Sequence, residues 1–219
     1  MLELAAFLGN PGKEYSHNRH NAGFLLAEKL PFFADLAWQK KFRGSYAAMD
    51  RNRLTGYFPD GPSGEGGGRL HFIKPETFMN LSGESVFKAA AFFKIKTEDL
   101  IVVHDELELP LGTISLKFGG GLGGHNGLRS MKAAFGIADF WRLRVGIGRP
   151  DSRLPGEGGP PGSGEGIIDW VLSDFDAAEL EIIDKVLEEG AKLLLAAFVN
   201  GPESLLPEWA KKKLPGLTA

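Results

Sequence analysis

Three apolar runs of strand length, residues 2–8, 71–74 and 100–104, each stop at polar residues and give way to a new element. None has a helical period, and the first is broken by Gly9-Asn10-Pro11-Gly12, so it reads as a buried strand closed by a turn. Segments with helical spacing lie between and beyond the runs. A helix is expected from about Asn21. Ser82 is placed to cap a second, in which Val86, Ala89, Ala90 and Phe93 recur, and Asn126 to cap a third carrying Leu128, Met131 and Phe135. Residues 113–118 read as a strand. In residues 141–148 the period is two, with Trp141, Leu143, Val145 and Ile147 facing one way and Arg142 and Arg144 the other. Asp176 and Glu179 form a capping box for a long helix through Ile182, Val186, Leu193, Leu194 and Ala197, closed at Asn200-Gly201.

Strands alternating with helices predict an α/β fold, a single-domain mixed β-sheet flanked by helices in three αβα layers over residues 1–219. The sheet is expected to be mixed because residues 46–58 look hairpin-like. Residues 60–68 and 155–166 are so rich in Gly, Pro and Ser that they read as mobile surface loops without regular backbone, not as domain linkers.

The chain has no Cys, which excludes disulfides, thiolate zinc sites and a cysteine nucleophile. Its start lacks the basic and apolar regions of a signal peptide, and no run approaches the roughly 18 apolar residues of a membrane span, so a soluble, unsecreted protein is expected. The net charge of -3 hides an uneven distribution. Residues 110–150 hold six basic residues (Lys117, Arg129, Lys132, Arg142, Arg144, Arg149) against Asp139 alone, whereas residues 165–208 hold eleven acids and two lysines. That asymmetry suits an anionic ligand held on one face, and equally a mixed, solvated surface.

Ligands of open α/β sheets collect beyond the carboxyl ends of the strands, so the residues just after each strand are the place to search. Here they are Asn10, Asn80, Asp105 and His125-Asn126, with Arg19-His20-Asn21 just before the first helix. An imidazole, a carboxylate and several amides make a set that can activate water. His20 takes the proton, Asp105 holds the other ring N–H, and Asn126 at a helix N-terminus donates to a developing oxyanion, by its side chain or through neighbouring backbone N–H groups.

Rival chemistries fare worse on the same residues. No GxSxG elbow offers a serine nucleophile. His104, Asp105 and His125 suggest a metal, but adjacent strand residues point to opposite faces, so no metal is expected. The glycine run at 119–124 contains GxGxxG between a strand and a helix, yet no acidic residue ends a second strand about 20 residues on, as a nicotinamide site requires.

The stretches FLGNPGKEYSHNRHNAGF, KPETFMNLSGESV, VVHDELELPLGTISLKFGGGLGGHNGLRSM and RLRVGIGRP together resemble, in order and spacing, the motifs of the bacterial-type peptidyl-tRNA hydrolases. The match runs from Leu8 to Pro150, about two thirds of the chain. The resemblance implies that His20 is the catalytic base and Asp105 its partner. It implies that Asn10 distinguishes N-blocked peptidyl-tRNA from free aminoacyl-tRNA, and that Tyr15, Phe78, Asn80 and Asn126 bind substrate. Lys117 and Arg144 match the family's clamp for tRNA phosphate. It further implies a cytoplasmic monomer that acts on peptidyl-tRNA with no metal or organic cofactor and no membrane. The alternative is a catalytically inactive RNA-binding member of the same fold, of the splicing type. Ala5, Ala6 and Asn18 depart from the family's usual residues, and the two Gly/Pro-rich loops are longer than its norm.

Overall fold

The computed structural model describes residues 1–57, 67–150 and 164–215. These residues form one eight-stranded mixed sheet between two helical layers. In chain order the elements are β1 (Leu4–Phe7), α1 (Ala22–Glu28), β2 (Gln39–Lys41), β3 (Gly44–Asp50), β4 (Arg69–Pro75), α2 (Ser82–Phe93) and β5 (Leu100–Glu106). There follow β6 (Thr113–Phe118), α3 (Asn126–Phe135), β7 (Trp141–Gly146), α4 (Gly164–Leu172), α5 (Ala177–Asn200), α6 (Pro202–Trp209) and β8 (Lys212–Lys213).

The strand order is β2-β3-β4-β1-β5-β7-β6-β8. Its centre, β4-β1-β5-β7, is parallel, and both margins are antiparallel. Central strands covered on both faces must be apolar throughout, which is why residues 2–8 show no alternation in hydrophobicity. Ala5 and Phe7 of β1 pack with α1 and α5, while Leu4, Ala6 and Leu8 pack with α2 and α3. β7 alternates as expected, with Trp141, Leu143, Val145 and Ile147 in the α1–α5 core.

The capping box is present: Glu179 N–H donates to Asp176 Oδ1 at 2.9 Å, and Asp176 N–H to Glu179 Oε2 at 2.9 Å. The helix ends at Asn200, before Gly201 at φ 78°. Other expectations are corrected. Ser82 is the first residue of α2 and makes no cap hydrogen bond, its hydroxyl lying 3.9 Å from Met79 Sδ. The hairpin joins β2 to β3, turning at Phe42 and Arg43 with φ 57° and 59°, and Arg51–Tyr57 continues as a 3-10 helix. Two residues with positive φ are what a tight hairpin needs, but neither is the Gly or Asn that advertises one.

The loops foreseen at 60–68 and 155–166 lie mostly outside the described residues. Where residues 164–166 are described they open α4, so that end of the second segment is regular after all. α4, α6 and β8 were not foreseen. Among the described residues no helix is long and apolar enough to cross a membrane.

Candidate active site

Two helical layers bring one imidazole each to a single carboxylate at the carboxyl edge of the parallel strands. His20 lies in the 3-10 turn Arg19–Asn21 that leads into α1. The turn sits close to the sheet because residue 23 has no side chain: a Cβ there would lie 2.4 Å from the Leu8 carbonyl oxygen and 2.6 Å from that of Val103. His125 precedes α3 on the opposite layer, and Asp105 lies on β5 between them.

His20 Nδ1 and His125 Nε2 each lie 2.9 Å from the same oxygen, Asp105 Oδ1, with the ring centroids 4.9 Å apart. The proton positions follow from the partners. His125 Nδ1 accepts from the backbone N–H groups of Gly127 and Leu128, which can only donate, so Nε2 carries the proton given to Asp105. Burial favours the neutral form of Asp105, but His20 and His125 outweigh it and hold the carboxyl well below its usual range. An ionised Asp105 can only accept, so His20 Nδ1 also donates. His20 Nε2 is thereby left as the free lone pair, and it has no hydrogen-bond partner among the described residues. Burial lowers the basicity of His20, while the charge and hydrogen bond of Asp105 raise it further, so its pKa lies above the ordinary imidazole value. His20 lines a cleft of about 340 Å³ with Asp105, Glu106, His125 and Asn126, closed on one side by Ile167, Ile168 and Val171 of α4.

His125, not Asn126, is the N-cap of α3. This corrects the sequence expectation in two ways. Asn126 is an exposed first-turn residue whose side chain remains available, its Oδ1 lying 3.5 Å from Arg129 Nη1. The N–H groups of Gly127 and Leu128, by contrast, are taken by the cap and cannot serve an oxyanion.

Asn10 is buried and its orientation is fixed. Its Oδ1 accepts from Met79 N–H at 2.8 Å, and its backbone is clasped by Asn21, whose Oδ1 accepts from Asn10 N–H and whose Nδ2 donates to Asn10 O. Only Nδ2 remains for a ligand. The 3-10 turn Met79–Leu81 that meets Asn10 also carries Asn80, exposed, next to Phe78, which is 59% exposed and so not a core aromatic. Tyr15 is half-buried at the end of the 3-10 turn Lys13–Tyr15.

Lys117 and Arg144, on β6 and β7, do not line the cleft, though Arg144 reaches Glu106 in its wall. The register pairs Lys117 with Arg142 and Ser115 with Arg144, so all four face the same way. Lys117 is exposed, whereas Arg144 Nε donates to Glu106 Oε2 at 3.0 Å.

The model of the family described as peptidyl-tRNA hydrolase matches residues 4–215. The chain belongs to the peptidyl-tRNA hydrolase family. It is 45% identical over 219 residues to the peptidyl-tRNA hydrolase of Treponema pallidum (strain Nichols), covering 99% of this chain and 98% of that protein. With the peptidyl-tRNA hydrolase of Desulfitobacterium hafniense (strain Y51) it shares 39% identity over 191 residues, 87% of this chain and 90% of the other. The crystal structure of peptidyl-tRNA hydrolase from Acinetobacter baumannii superposes with a TM-score of 0.73 at 31% identity, over 95% of this chain and 96% of that one.

Among the described residues of this peptidyl-tRNA hydrolase fold, the trio able to approach a metal is His20, Asp105 and His125, with potential ligand atoms within 4.8 Å of one another. It is not the His104-containing set that the sequence suggests: His104 lies on the opposite face of β5, with its Nδ1 2.6 Å from the Asp105 carbonyl oxygen. The two nitrogens that face Asp105 both carry the protons they give to it, so a cation between them would have to displace both.

Sequence reasoning also missed what holds His20 in place. Arg19 is buried, lies 3.9 Å over the Trp170 ring and donates to Ser173 Oγ at 2.8 Å, to the Asp174 carbonyl and to Glu179. Its partners are some 150 residues away in sequence, and no local signal marks them. Arg142 is likewise buried, donating to the carbonyls of Gly120, Gly121 and Ala138, and so holds the glycine loop before α3.

Proposed function

We propose that this protein hydrolyses the ester joining a peptide to the 3′ end of tRNA, with His20 as general base. The observation that carries the proposal is the His20–Asp105 hydrogen bond at 2.9 Å, which directs the ring so that Nε2 is the basic atom and opens to the cleft. Nε2 takes a proton from water, and the resulting hydroxide attacks the ester carbonyl carbon. The tetrahedral intermediate then expels the ribose oxygen, which recovers the proton from the imidazolium. Asp105 stabilises that imidazolium, and the Asn126 side-chain amide serves the oxyanion, a contribution of roughly 10²–10³ in rate.

Asn10 carries the discrimination. With its carbonyl engaged by Met79, it offers a donor to the carbonyl of the peptide amide. A free aminoacyl-tRNA has no such carbonyl and sets an ammonium against that donor. Tyr15, Phe78 and Asn80 flank the substrate, and Lys117 and Arg144 meet tRNA phosphate. The reading is of a monomer without cofactor, working in the cytoplasm where its substrate is made.

The test is release of the acyl group from N-acetylated aminoacyl-tRNA by the purified protein. Release is expected, and tRNA binding without release would favour the RNA-binding alternative. The sharper form replaces Asn10: Asn10→Asp keeps an acceptor for Met79 and turns a carboxylate toward the ammonium. It should narrow the preference for blocked over free substrate by about 1–3 kcal/mol, the usual range for a mismatched buried polar partner. An unchanged kcat/KM ratio assigns discrimination elsewhere.

A further inference from the structure

A second cavity, of about 580 Å³, is lined by Asn10 and by Asn21, the residue after His20, but not by His20 itself. Its walls include Phe24, Phe33 and Trp38, half-buried aromatics packed against the main core, with Trp38 held by a 3.2 Å hydrogen bond from Nε1 to the Phe33 carbonyl. Its cations are neutralised within the wall. Lys74 lies 4.7 Å over the Phe24 ring and 3.0 Å from Glu28, and Lys40 is paired with Glu76, which Ser45 also serves at 2.6 Å. The His20 cleft has no aromatic wall: its lining holds Arg129 and Arg149, the latter paired with Glu108, beside Asp105 and Glu106. An aromatic, charge-balanced cavity suits an apolar side chain.

We infer that this aromatic cavity is the subsite for the penultimate residue of the peptide, and that it selects apolar side chains there. The inference rests on the proposed reading of His20 and Asn10. If the ester lies at His20 and the blocking amide at Asn10, the chain beyond that amide continues away from the ester. The space on that side of Asn10 is the cavity floored by Phe24, Phe33 and Trp38. The tRNA end then runs the other way, toward the basic segment. On this reading the esterified residue stays beside His20, which does not line the aromatic cavity, so selectivity falls on the residue before it.

The experiment compares N-acetyl-Phe-Ala-tRNA with N-acetyl-Gly-Ala-tRNA, normalising each protein to N-acetyl-Ala-tRNA, which is too short to enter the cavity. In the wild-type protein kcat/KM for the Phe substrate should exceed that for the Gly substrate by roughly tenfold, the lower end of what one apolar pocket achieves. Trp38→Ala removes part of the floor, and Ser16→Trp fills the cavity from its exposed rim without touching the core. Each should bring the Phe-to-Gly ratio toward one. A wild-type ratio near one, or a ratio that survives both substitutions, overturns the subsite. Failure to release even N-acetylalanine instead overturns the esterase reading beneath it.

Discussion

The carboxyl edge of the parallel strands and the β6–β7 margin both gather polar residues, but they do so in different ways. At the first, His20 comes from one helical layer, His125 from the other and Asp105 from the strand between, and each hydrogen bond has a direction fixed by its partners. At the second, Lys117, Arg142 and Arg144 come from one antiparallel pair whose register alone sets them side by side. Two of the three cations are already engaged, Arg142 with backbone carbonyls and Arg144 with Glu106. Catalysis needs groups whose geometry is settled before substrate arrives, whereas phosphate binding needs charge that is still free. On the proposed mechanism the first region would act on kcat, and the second would contribute only as much affinity as its uncommitted charge allows.

The largest effect should come from His20→Ala, which removes the base and leaves the basic margin untouched. Turnover should fall roughly 10²-fold or more while tRNA affinity barely changes. Single-turnover release beside equilibrium binding measures both, and near wild-type turnover would sink the mechanism. Asp105→Asn should cost less, on the order of tenfold, for a reason visible in the geometry. Both imidazoles donate to one oxygen, so an amide carbonyl can keep both bonds while the charge is lost. The carboxylate holds the His20 pKa up, so its loss should move the acid limb of the pH–rate profile to lower pH. An unmoved limb would mean that Asp105 does not govern the basicity of His20.

What the sequence made legible follows the same division. The parallel centre announced itself because strands buried on both faces read as apolar runs, and because polar groups stand at their ends. Hence His20, Asp105, Asn10 and Asn126 could be named together. The alternation of β7 and the capping box of α5 are local patterns, and both were visible. The missing parts are those in which one residue takes a partner far away in the chain. His125 looks like a spare histidine until its Nε2 meets Asp105, twenty residues earlier. Arg19 is inconspicuous beside His20 until Ser173, Asp174 and Glu179 are folded against it, and Glu106 gives no sign that it ties up Arg144. α4 was missed because its first residues continue a Gly-rich stretch that argues against a helix.

The smallest effects, and the ones that divide the two cations most finely, belong to Lys117 and Arg144. The exposed Lys117 carries its full charge to a phosphate, so Lys117→Ala should weaken tRNA binding and flatten its salt dependence by about one counterion. Arg144 lies 3.0 Å from Glu106, and much of its charge is compensated before any phosphate approaches. Arg144→Ala should therefore change the salt slope by less than Lys117→Ala does. Glu106→Gln provides the third arm, because it keeps the shape of the side chain while releasing the charge of Arg144. One more free cation then faces the phosphates, so that variant should bind tRNA tighter. In its background, Arg144→Ala should cost as much slope as Lys117→Ala. Binding isotherms at several salt concentrations decide among these outcomes. Equal slopes for the two cations in the wild-type background would mean that tRNA phosphate breaks the Glu106–Arg144 pair, and that the margin is as free to act as Lys117 alone suggests.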